Sequence, residues 1–165
     1  DYRVPIGKAH HLNEGNDITI VSLSYMTIEA LHAVEILAKE GISCDLIDLR
    51  SVKPIDWDFI FSSVQKTGGL LALDTGVTTG STAGEIVARV SMDCYDSLKQ
   101  SPQRIALPDF PTPTSRTLTK GFYKKAEDII DIVSDMLGKN LVGNELIDRG
   151  EISYDVPGNW FKGPF

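Results

Sequence analysis

Basic charge, cysteine and long apolar runs are all scarce in this sequence. The 165 residues include 16 lysines and arginines against 23 aspartates and glutamates, a net charge of −7. Binding to nucleic acid or to an anionic membrane surface needs a basic face, so this balance argues against both classes of partner. No apolar run approaches the roughly 20 residues of a membrane span, and no signal peptide is recognisable. The composition is that of an ordinary globular domain.

Cysteine is represented only by Cys44 and Cys94, and no C-x-x-C pair occurs. We expect two buried free thiols in a reducing compartment, in preference to a disulfide or a metal pair. His10 and His11 are adjacent, so in a strand they point to opposite faces, which disfavours a joint metal site. The sequence also lacks a P-loop and a G-x-S-x-G motif, so it carries no catalytic signature of its own.

Strand-like and helix-like segments alternate about every 25 residues, which predicts βαβ units and an α/β fold with a largely parallel sheet. Strands are recognised by β-branched or continuous apolar residues, and helices by apolar stripes at spacings of three and four. The pattern predicts strands over residues 4–12 (an edge strand), 18–23, 43–49, 70–73 and 104–107. It predicts helices after residues 24, 56 and 81 and over residues 126–137.

Local signals set the predicted ends of these elements. Ser24 and Asp56 are predicted to cap the first two helices. Gly41 is predicted to end the first helix in a left-handed conformation. We expect one domain over residues 1–138, followed by an irregular tail over residues 139–165 that carries aromatic residues.

The turn before the third helix contains Gly76, Gly80 and Gly84. A glycine-rich turn at a helix start can hold a phosphate on free N–H groups. The spacing matches neither the dinucleotide fingerprint nor a P-loop, and Glu85 in the first turn would repel an anion. Tight packing of the helix on the sheet is therefore the favoured interpretation, and anion binding the alternative.

Charged residues that follow two predicted strands are candidates for a contact surface. Arg50 lies in the segment DLRSVKPID at 48–56, and Asp74 follows the central apolar strand. In open α/β sheets, ligands and partner domains meet the carboxyl ends of the strands. We favour an ion pair for Arg50, within the domain or to a neighbouring domain, and a domain contact over a catalytic role. For Asp74, a helix-cap or turn acceptor is the alternative to an interface role.

A second group of contact candidates lies toward the carboxyl terminus. Asp109, Pro111 and Pro113 belong to a loop that two prolines hold in few conformations. The tail residues are too apolar to be left exposed as a group. The aromatic candidates are Trp160, Phe161 and Phe165. We expect the chain to associate with itself or with a partner through this loop and the tail.

Six segments, in order, resemble the carboxyl-terminal domain of the β subunit of 2-oxoacid dehydrogenase E1 components, of the pyruvate and branched-chain type. The wider class is the transketolase carboxyl-terminal domain. The likeness covers residues 4–138. The segments are DITIVS at 17–22, AKEGIS at 38–43, DLRSVKPID at 48–56, AGEIVARV at 83–90, DFPTP at 109–113 and EDI at 127–129.

The resemblance implies a three-layer α/β/α domain with a mixed, mostly parallel five-stranded sheet whose first strand is antiparallel. It also implies a parent enzyme that uses thiamine diphosphate and magnesium, both held by other domains. Those domains carry a Gly-Asp-Gly motif that this sequence lacks. We therefore expect a piece of a longer protein that has no catalytic, cofactor or metal residues of its own and is inactive alone.

In the family this domain helps to assemble a dimeric or α2β2 enzyme, and in some members it docks the acyltransferase core. The implied location is the cytoplasm, or the mitochondrial matrix in a eukaryote. Two alternatives stay open. One is the matching domain of a transketolase or a deoxyxylulose phosphate synthase, and the other is a stand-alone module that binds a small anion at the glycine-rich turn.

Overall fold

The computed structural model describes residues 3–147 of the chain, in which strands and helices alternate. The strands are β1 (His10–Asn13), β2 (Ile18–Ser22), β3 (Cys44–Asp48), β4 (Leu70–Val77) and β5 (Gln103–Leu107). The helices are α1 (Tyr25–Lys39), α2 (Trp57–Thr67), α3 (Thr82–Asp93), α4 (Ala126–Met136) and α5 (Gly143–Leu146), with a 3-10 turn at Tyr95–Ser97.

The five strands form one sheet in the order β1-β3-β2-β4-β5. Strand β1 lies at an edge and pairs antiparallel with β3, whereas β3, β2, β4 and β5 run parallel to one another. The predicted mixed, mostly parallel five-stranded sheet is confirmed. Parallel strands place all their carboxyl ends at one edge, which collects the loops that follow β2, β3, β4 and β5 there.

Helices cover both faces of the sheet, which completes the three-layer α/β/α arrangement. Leu71 and Leu73 point toward a core shared with α1 and α4, whereas Leu70 and Ala72 point toward a core shared with α2 and α3. Alternation of this kind within a continuous apolar strand is what burial on both faces requires. The prediction of a doubly covered central strand is confirmed.

The two predicted helix caps were wrong, because neither side chain forms the hydrogen bond that a cap requires. Ser24 precedes α1 but makes no side-chain cap bond, and its φ of 55° departs from the extended backbone that a capping side chain needs. Asp56 precedes α2 and also makes no cap bond. Its carboxylate instead accepts from the Ala9 N–H at 3.2 Å and lies 3.3 Å from Lys8 Nζ. Gly41 adopts the predicted left-handed backbone, with φ 77°.

Three element boundaries differ from the sequence predictions. Strand β1 begins at His10, because the preceding segment contains Pro5 and the left-handed Gly7 (φ 75°). Strand β4 continues to Val77, so Asp74 lies within it. Residues 143–146 form a helical turn where an irregular tail was predicted. Leu146 packs against the core shared by α1 and α4. This tertiary contact stabilises the turn and could not be recognised from the local sequence.

Candidate functional site

The carboxyl edge of the sheet is the candidate site, because the loops that carry most of the contact candidates meet there. It has two halves. The ends of β2 and β3 carry the Arg50 segment. The ends of β4 and β5 carry the glycine-rich turn and the loop that begins at Asp109.

Asp74 is buried within β4, and its carboxylate serves the turn that follows. Oδ1 accepts from the Gly76 N–H at 2.8 Å, and Oδ2 accepts from the Ala83 N–H at 3.1 Å in the first turn of α3. A negative charge there interacts favourably with the positive end of the helix. The geometry matches the turn-acceptor alternative, and the interface role of Asp74 stays a prediction.

Asp109 links the loop after β5 to the loop after β4. Its fully exposed carboxylate accepts from the Thr79 N–H at 2.8 Å and from Thr79 Oγ1 at 2.7 Å. The backbone and side-chain hydrogen bonds from Thr79 hold the pKa of Asp109 below its usual value, with a smaller contribution from Arg104. The negative charge therefore fixes the relative position of two loops at this edge.

These bonds occupy N–H groups that an anion would need. In the glycine-rich turn, the N–H groups of Gly76 and Ala83 face Asp74, that of Thr79 faces Asp109, and Gly84 donates to Ser81 Oγ at 3.0 Å. The carboxylates of Asp74 and Asp109 therefore already accept from the N–H groups that a bound phosphate would use.

A Cβ at Gly84 would lie 2.6 Å from Arg104 Nη1, the movable end of a side chain on β5, so α3 lies close to the sheet at this point. This close approach favours tight helix–sheet packing over phosphate binding as the interpretation of the glycine spacing.

The loop after β5 also presents apolar surface to solvent. Phe110 is 51% exposed and packs against buried Phe122 with ring centroids 5.3 Å apart. Leu118, further along the same connection, is 66% exposed. Pro111 is exposed and Pro113 half-buried. We call Phe110, Pro111, Pro113 and Leu118 the proline-loop surface. The predicted tail contacts Trp160, Phe161 and Phe165 lie outside the described residues.

Arg50 forms an ion pair within its own domain, which was one of the two options that the sequence left open. Its side-chain Nε lies 3.6 Å from Asp48 Oδ2, and its backbone N–H donates to Asp48 Oδ1 at 3.2 Å. The Arg50 and Asp48 side chains are 24% and 22% exposed, and Arg50 has a left-handed backbone with φ 55°. A contact between Arg50 and a neighbouring domain stays a prediction.

A buried carboxylate at Asp45 was not singled out from the sequence. It accepts from Ser63 Oγ, from the Gly15 N–H at 2.9 Å and from Lys66 Nζ at 2.9 Å, and it lies 2.9 Å from His11 Nε2. Burial alone raises the pKa of Asp45, but the hydrogen bonds from Ser63, Gly15, Lys66 and His11 outweigh it and lower the pKa overall. This cluster ties the edge strand and α2 to β3.

Glu29 is a second buried carboxylate that the sequence analysis missed. It accepts a hydrogen bond from the Tyr25 hydroxyl and another, at 2.9 Å, from the Ala126 N–H at the start of α4. The available signal was its position: Glu29 falls on the apolar stripe formed by Met26, Ala30 and neighbouring residues of α1. A charge within such a stripe indicates a buried partner.

Among residues 3–147 the structure contains no group of three or more histidine, cysteine or acidic side chains placed to hold a metal ion. Cys44 and Cys94 are buried free thiols, as predicted. Burial, with a smaller effect of the Asp17 charge, raises the pKa of Cys44 to about 12. Burial and the nearby Asp93 charge also raise the pKa of Cys94. Thiols in this state are unreactive.

None of the helices within the described range has both the length and the apolar character needed to cross a membrane.

Comparison with protein families gives a match over residues 7–129 to the family described as the transketolase C-terminal domain. The chain is 41% identical over 127 residues to the pyruvate dehydrogenase E1 component subunit beta-1, mitochondrial, of Oryza sativa subsp. japonica. It is 34% identical over 128 residues to the acetoin:2,6-dichlorophenolindophenol oxidoreductase subunit beta of Cupriavidus necator. These matches cover 77% and 78% of this chain but only 34% and 38% of the relatives' lengths.

Among solved structures, the chain resembles one described as a split gene transketolase, inactive beta4 tetramer, with a TM-score of 0.71 and 30% identity. That match covers 84% of this chain and 44% of the other. The chain therefore spans less than half the length of the proteins that it resembles.

Proposed function

This chain belongs to the transketolase C-terminal domain family, and we propose that it is the carboxyl-terminal assembly domain of a thiamine-diphosphate-dependent 2-oxoacid dehydrogenase E1 component. The parent would be a β subunit or a fused chain that works as a dimer or as α2β2. Similarity to pyruvate and acetoin enzyme β subunits supports this choice of parent. The cytoplasm, or the mitochondrial matrix in a eukaryote, is the proposed location.

The proline-loop surface is the observation that carries the assembly role. It combines exposed apolar side chains, Phe110 and Leu118, with a backbone that prolines restrain and the Asp109–Thr79 bonds anchor. A preordered apolar surface loses little conformational entropy on binding. Large apolar side chains exposed on an ordered loop are suited to contact with another protein. Docking of an acyltransferase core is a further proposal for this part of the molecule.

The described residues do not fit thiamine diphosphate or its magnesium ion. Magnesium needs oxygen ligands gathered in one place, and residues 3–147 provide no such acidic cluster. A diphosphate at the glycine-rich turn would meet the carboxylates of Asp74 and Asp109, which already occupy its N–H groups. We therefore assign cofactor binding to other domains of the parent enzyme and derive no catalytic step for this chain.

The test is assembly of the full-length parent enzyme after a charge is placed on the proline-loop surface. We expect Phe110→Asp and Leu118→Asp to lower the mass measured by light scattering, because a carboxylate cannot enter an apolar interface without a large desolvation cost. Met92→Asp is the matched control, since Met92 is 68% exposed near the far end of α3. Equal masses for all four proteins across a dilution series would reject the assembly role.

A transketolase or deoxyxylulose phosphate synthase domain is the second candidate, favoured by the 0.71 TM-score to a split gene transketolase. The two parents act on different substrates. Assays of the full-length enzyme with 2-oxoacids and an electron acceptor, and separately with sugar phosphates, distinguish them.

A further inference from the structure

The described part of the chain ends beside the connection that carries the proline-loop surface. Helix α5 packs on the beginning of α4: the Gly143 N–H donates to Asp131 Oδ1 at 2.7 Å, and a Cβ at Gly143 would lie 2.6 Å from the Glu127 Cα. Ile147, which directly follows α5, is 9% exposed and belongs to the core shared by α1 and α4. The residues that follow therefore leave the domain from a fixed point near the start of α4.

The start of α4 is also where the proline-loop connection ends. Phe122, shortly before Ala126, packs against Phe110 with ring centroids 5.3 Å apart. Residues 148–165, which we call the aromatic segment, lie outside the described range, and a chain of 18 residues can extend about 60 Å. The whole proline-loop surface is within reach of this segment of the same molecule.

The proline-loop surface offers both apolar and basic contacts. Phe110 and Leu118 are 51% and 66% exposed, which leaves large apolar side chains in water. The connection over residues 110–125 contains four lysines and arginines and no acidic residue, although the whole chain has a net charge of −7. Two of the four, Arg116 and Lys120, are exposed on either side of Leu118. The other two precede α4, where one is buried and the other is paired with an acidic residue of that helix.

The sequence of the aromatic segment matches both kinds of contact. Residues 148–155 carry three acidic side chains and one arginine, and residues 156–165 include Trp160, Phe161 and Phe165. Aromatic side chains bury a large apolar area each. Opposite charges across a contact select the partner and its orientation. The segment therefore presents the apolar and acidic groups that complement this surface.

We propose that the aromatic segment binds the proline-loop surface of its own chain. Its aromatic side chains lie against Phe110 and Leu118, and its acidic side chains lie beside Arg116 and Lys120. Attachment at Ile147 makes this binding intramolecular, with an effective concentration of about 1 mM that a second copy in dilute solution does not reach. If the proposed function holds, on which this last step rests, a partner that assembles through the surface must first displace the segment.

The test is paramagnetic broadening in the 15N-labelled 165-residue chain, with a nitroxide label on Gly163→Cys. Cys44 and Cys94 are buried and their pKa values are raised, so the label reacts with the introduced thiol. We expect amide signals within residues 110–122 to lose more than about half of their intensity, because a segment tethered at about 1 mM stays mostly bound. The amides of Asn16 and Ser43, at the amino edge of the sheet, should keep theirs. Equal loss at both edges, or none within residues 110–122, would overturn the proposal.

A mixed sample distinguishes the segment of the same chain from that of a second copy. Chains that carry the nitroxide but no 15N are mixed with 15N-labelled chains that carry no nitroxide. We expect no broadening at a chain concentration of about 0.1 mM, well below the effective concentration within one molecule. Broadening within residues 110–122 in this sample would show that a second copy occupies the surface, and would overturn the intramolecular assignment.

Variants assign the contact to the named groups. We expect Trp160→Asp to reduce the broadening about threefold or more, because a carboxylate is costly to bury against apolar side chains. Lys120→Glu should reduce it about twofold, because it reverses a charge that faces acidic residues. Lys139→Glu is the matched control, since Lys139 is equally exposed but follows the far end of α4. Broadening as strong as in the unmodified chain in Trp160→Asp and Lys120→Glu, with native spectra, would contradict the assignment.

Assembly of the full-length parent enzyme tests the displacement step. Freeing a surface that the segment occupies for about nine-tenths of the time should tighten association about tenfold, so Trp160→Asp should lower the dissociation constant measured by light scattering. Weaker association would overturn displacement, because the segment would then belong to the interface. Loss of assembly in Phe110→Asp, without broadening in the 165-residue chain, would reject only the segment contact. Broadening, without any effect of Phe110→Asp on assembly, would reject only the proposed function.

Discussion

The carboxylate of Asp109 shows how one exposed side chain orders two loops at the carboxyl edge. Its pKa is lowered by hydrogen bonds from Thr79, so the charged form is favoured in the folded state. A lowered carboxyl pKa contributes stability above the unfolded value, and that contribution is lost as the pH falls through the folded value. We therefore expect protection of the Thr79 amide from hydrogen exchange to fall as the pH drops below the ordinary value of 3.8.

The Lys99 amide is the internal control for this prediction. It donates to the Gly68 carbonyl at 2.9 Å, which does not titrate, so its protection should not follow the same pH curve. Asp109→Asn should remove the pH dependence at Thr79. An identical acid profile for the two amides, after correction for intrinsic exchange rates, would show that Asp109 does not order the loop.

Asp45 is expected to have a larger effect on stability, because it is buried and serves several partners. Replacing it with alanine leaves the Gly15 N–H without an acceptor, removes one of the two partners of Ser63 Oγ, the other being Thr19 Oγ1, and separates Lys66 from its charge partner. We expect Asp45→Ala to lower the free energy of unfolding by about 3 kcal/mol in urea denaturation. Exposed Asp58 on α2 is the control, for which a change within about 0.5 kcal/mol is expected. Similar midpoints for the two variants would show that the cluster does not stabilise the fold.

Neither Asp45 nor Glu29 could be assigned its partners from the sequence. Their carboxylates bind groups 30 and 97 residues away, at Gly15 and Ala126. Periodicity places a residue on a face of its own element but does not say which distant N–H it will meet. Asp109 and Arg50 were recognised as candidates because loop and strand-end positions are visible locally, although the Thr79 partner of Asp109 was not.

The junction of α1 and α4 depends on Glu29, which is buried between them. Glu29 accepts from the Ala126 N–H, one of the amino-terminal groups of α4 that have no acceptor within that helix. We expect Glu29→Ala to destabilise the chain by about 2 kcal/mol, because it leaves a buried donor unpaired. Glu35→Ala, at an exposed position of the same helix, should change little. Loss of protection at the Ala126 amide should accompany the destabilisation, and an unchanged denaturation midpoint would contradict the assigned role.

Helix positions, including the first residue of α1, α2, α3 and α4, were predictable, whereas the cap hydrogen bonds and two strand boundaries were not. Apolar spacing located α1, α2, α3 and α4 because each buries one continuous stripe. Asp56 does not cap α2, because its carboxylate instead accepts from the Ala9 N–H in a distant segment. The extension of β4 to Val77 was not predicted for a related reason, because the residue that pairs with Val77, Leu107 of β5, is far away in the sequence.

The fold class was predictable because alternation of strands and helices permits few topologies. Alternation alone did not predict the antiparallel β1, which the resemblance to the E1 β-subunit domain supplied and the pairing of His10 with Asp48 confirms. The site was predictable as an edge of the sheet, since parallel strands bring their carboxyl ends together. The left-handed backbone of Ser24 and Arg50 at this edge was not, because neither position carries the glycine that signals a positive φ.

The isolated 165-residue chain is expected to show no turnover of 2-oxoacids. The N–H groups of the turn that could have held a diphosphate already donate to the carboxylates of Asp74 and Asp109. The described residues also provide no carboxylate cluster for magnesium. We would assay the chain with thiamine diphosphate, magnesium, several 2-oxoacids and a dye acceptor, with the full-length parent enzyme as the positive control. Activity that follows the chain through purification, and that Asp74→Asn alters, would mean that this domain binds the cofactor itself.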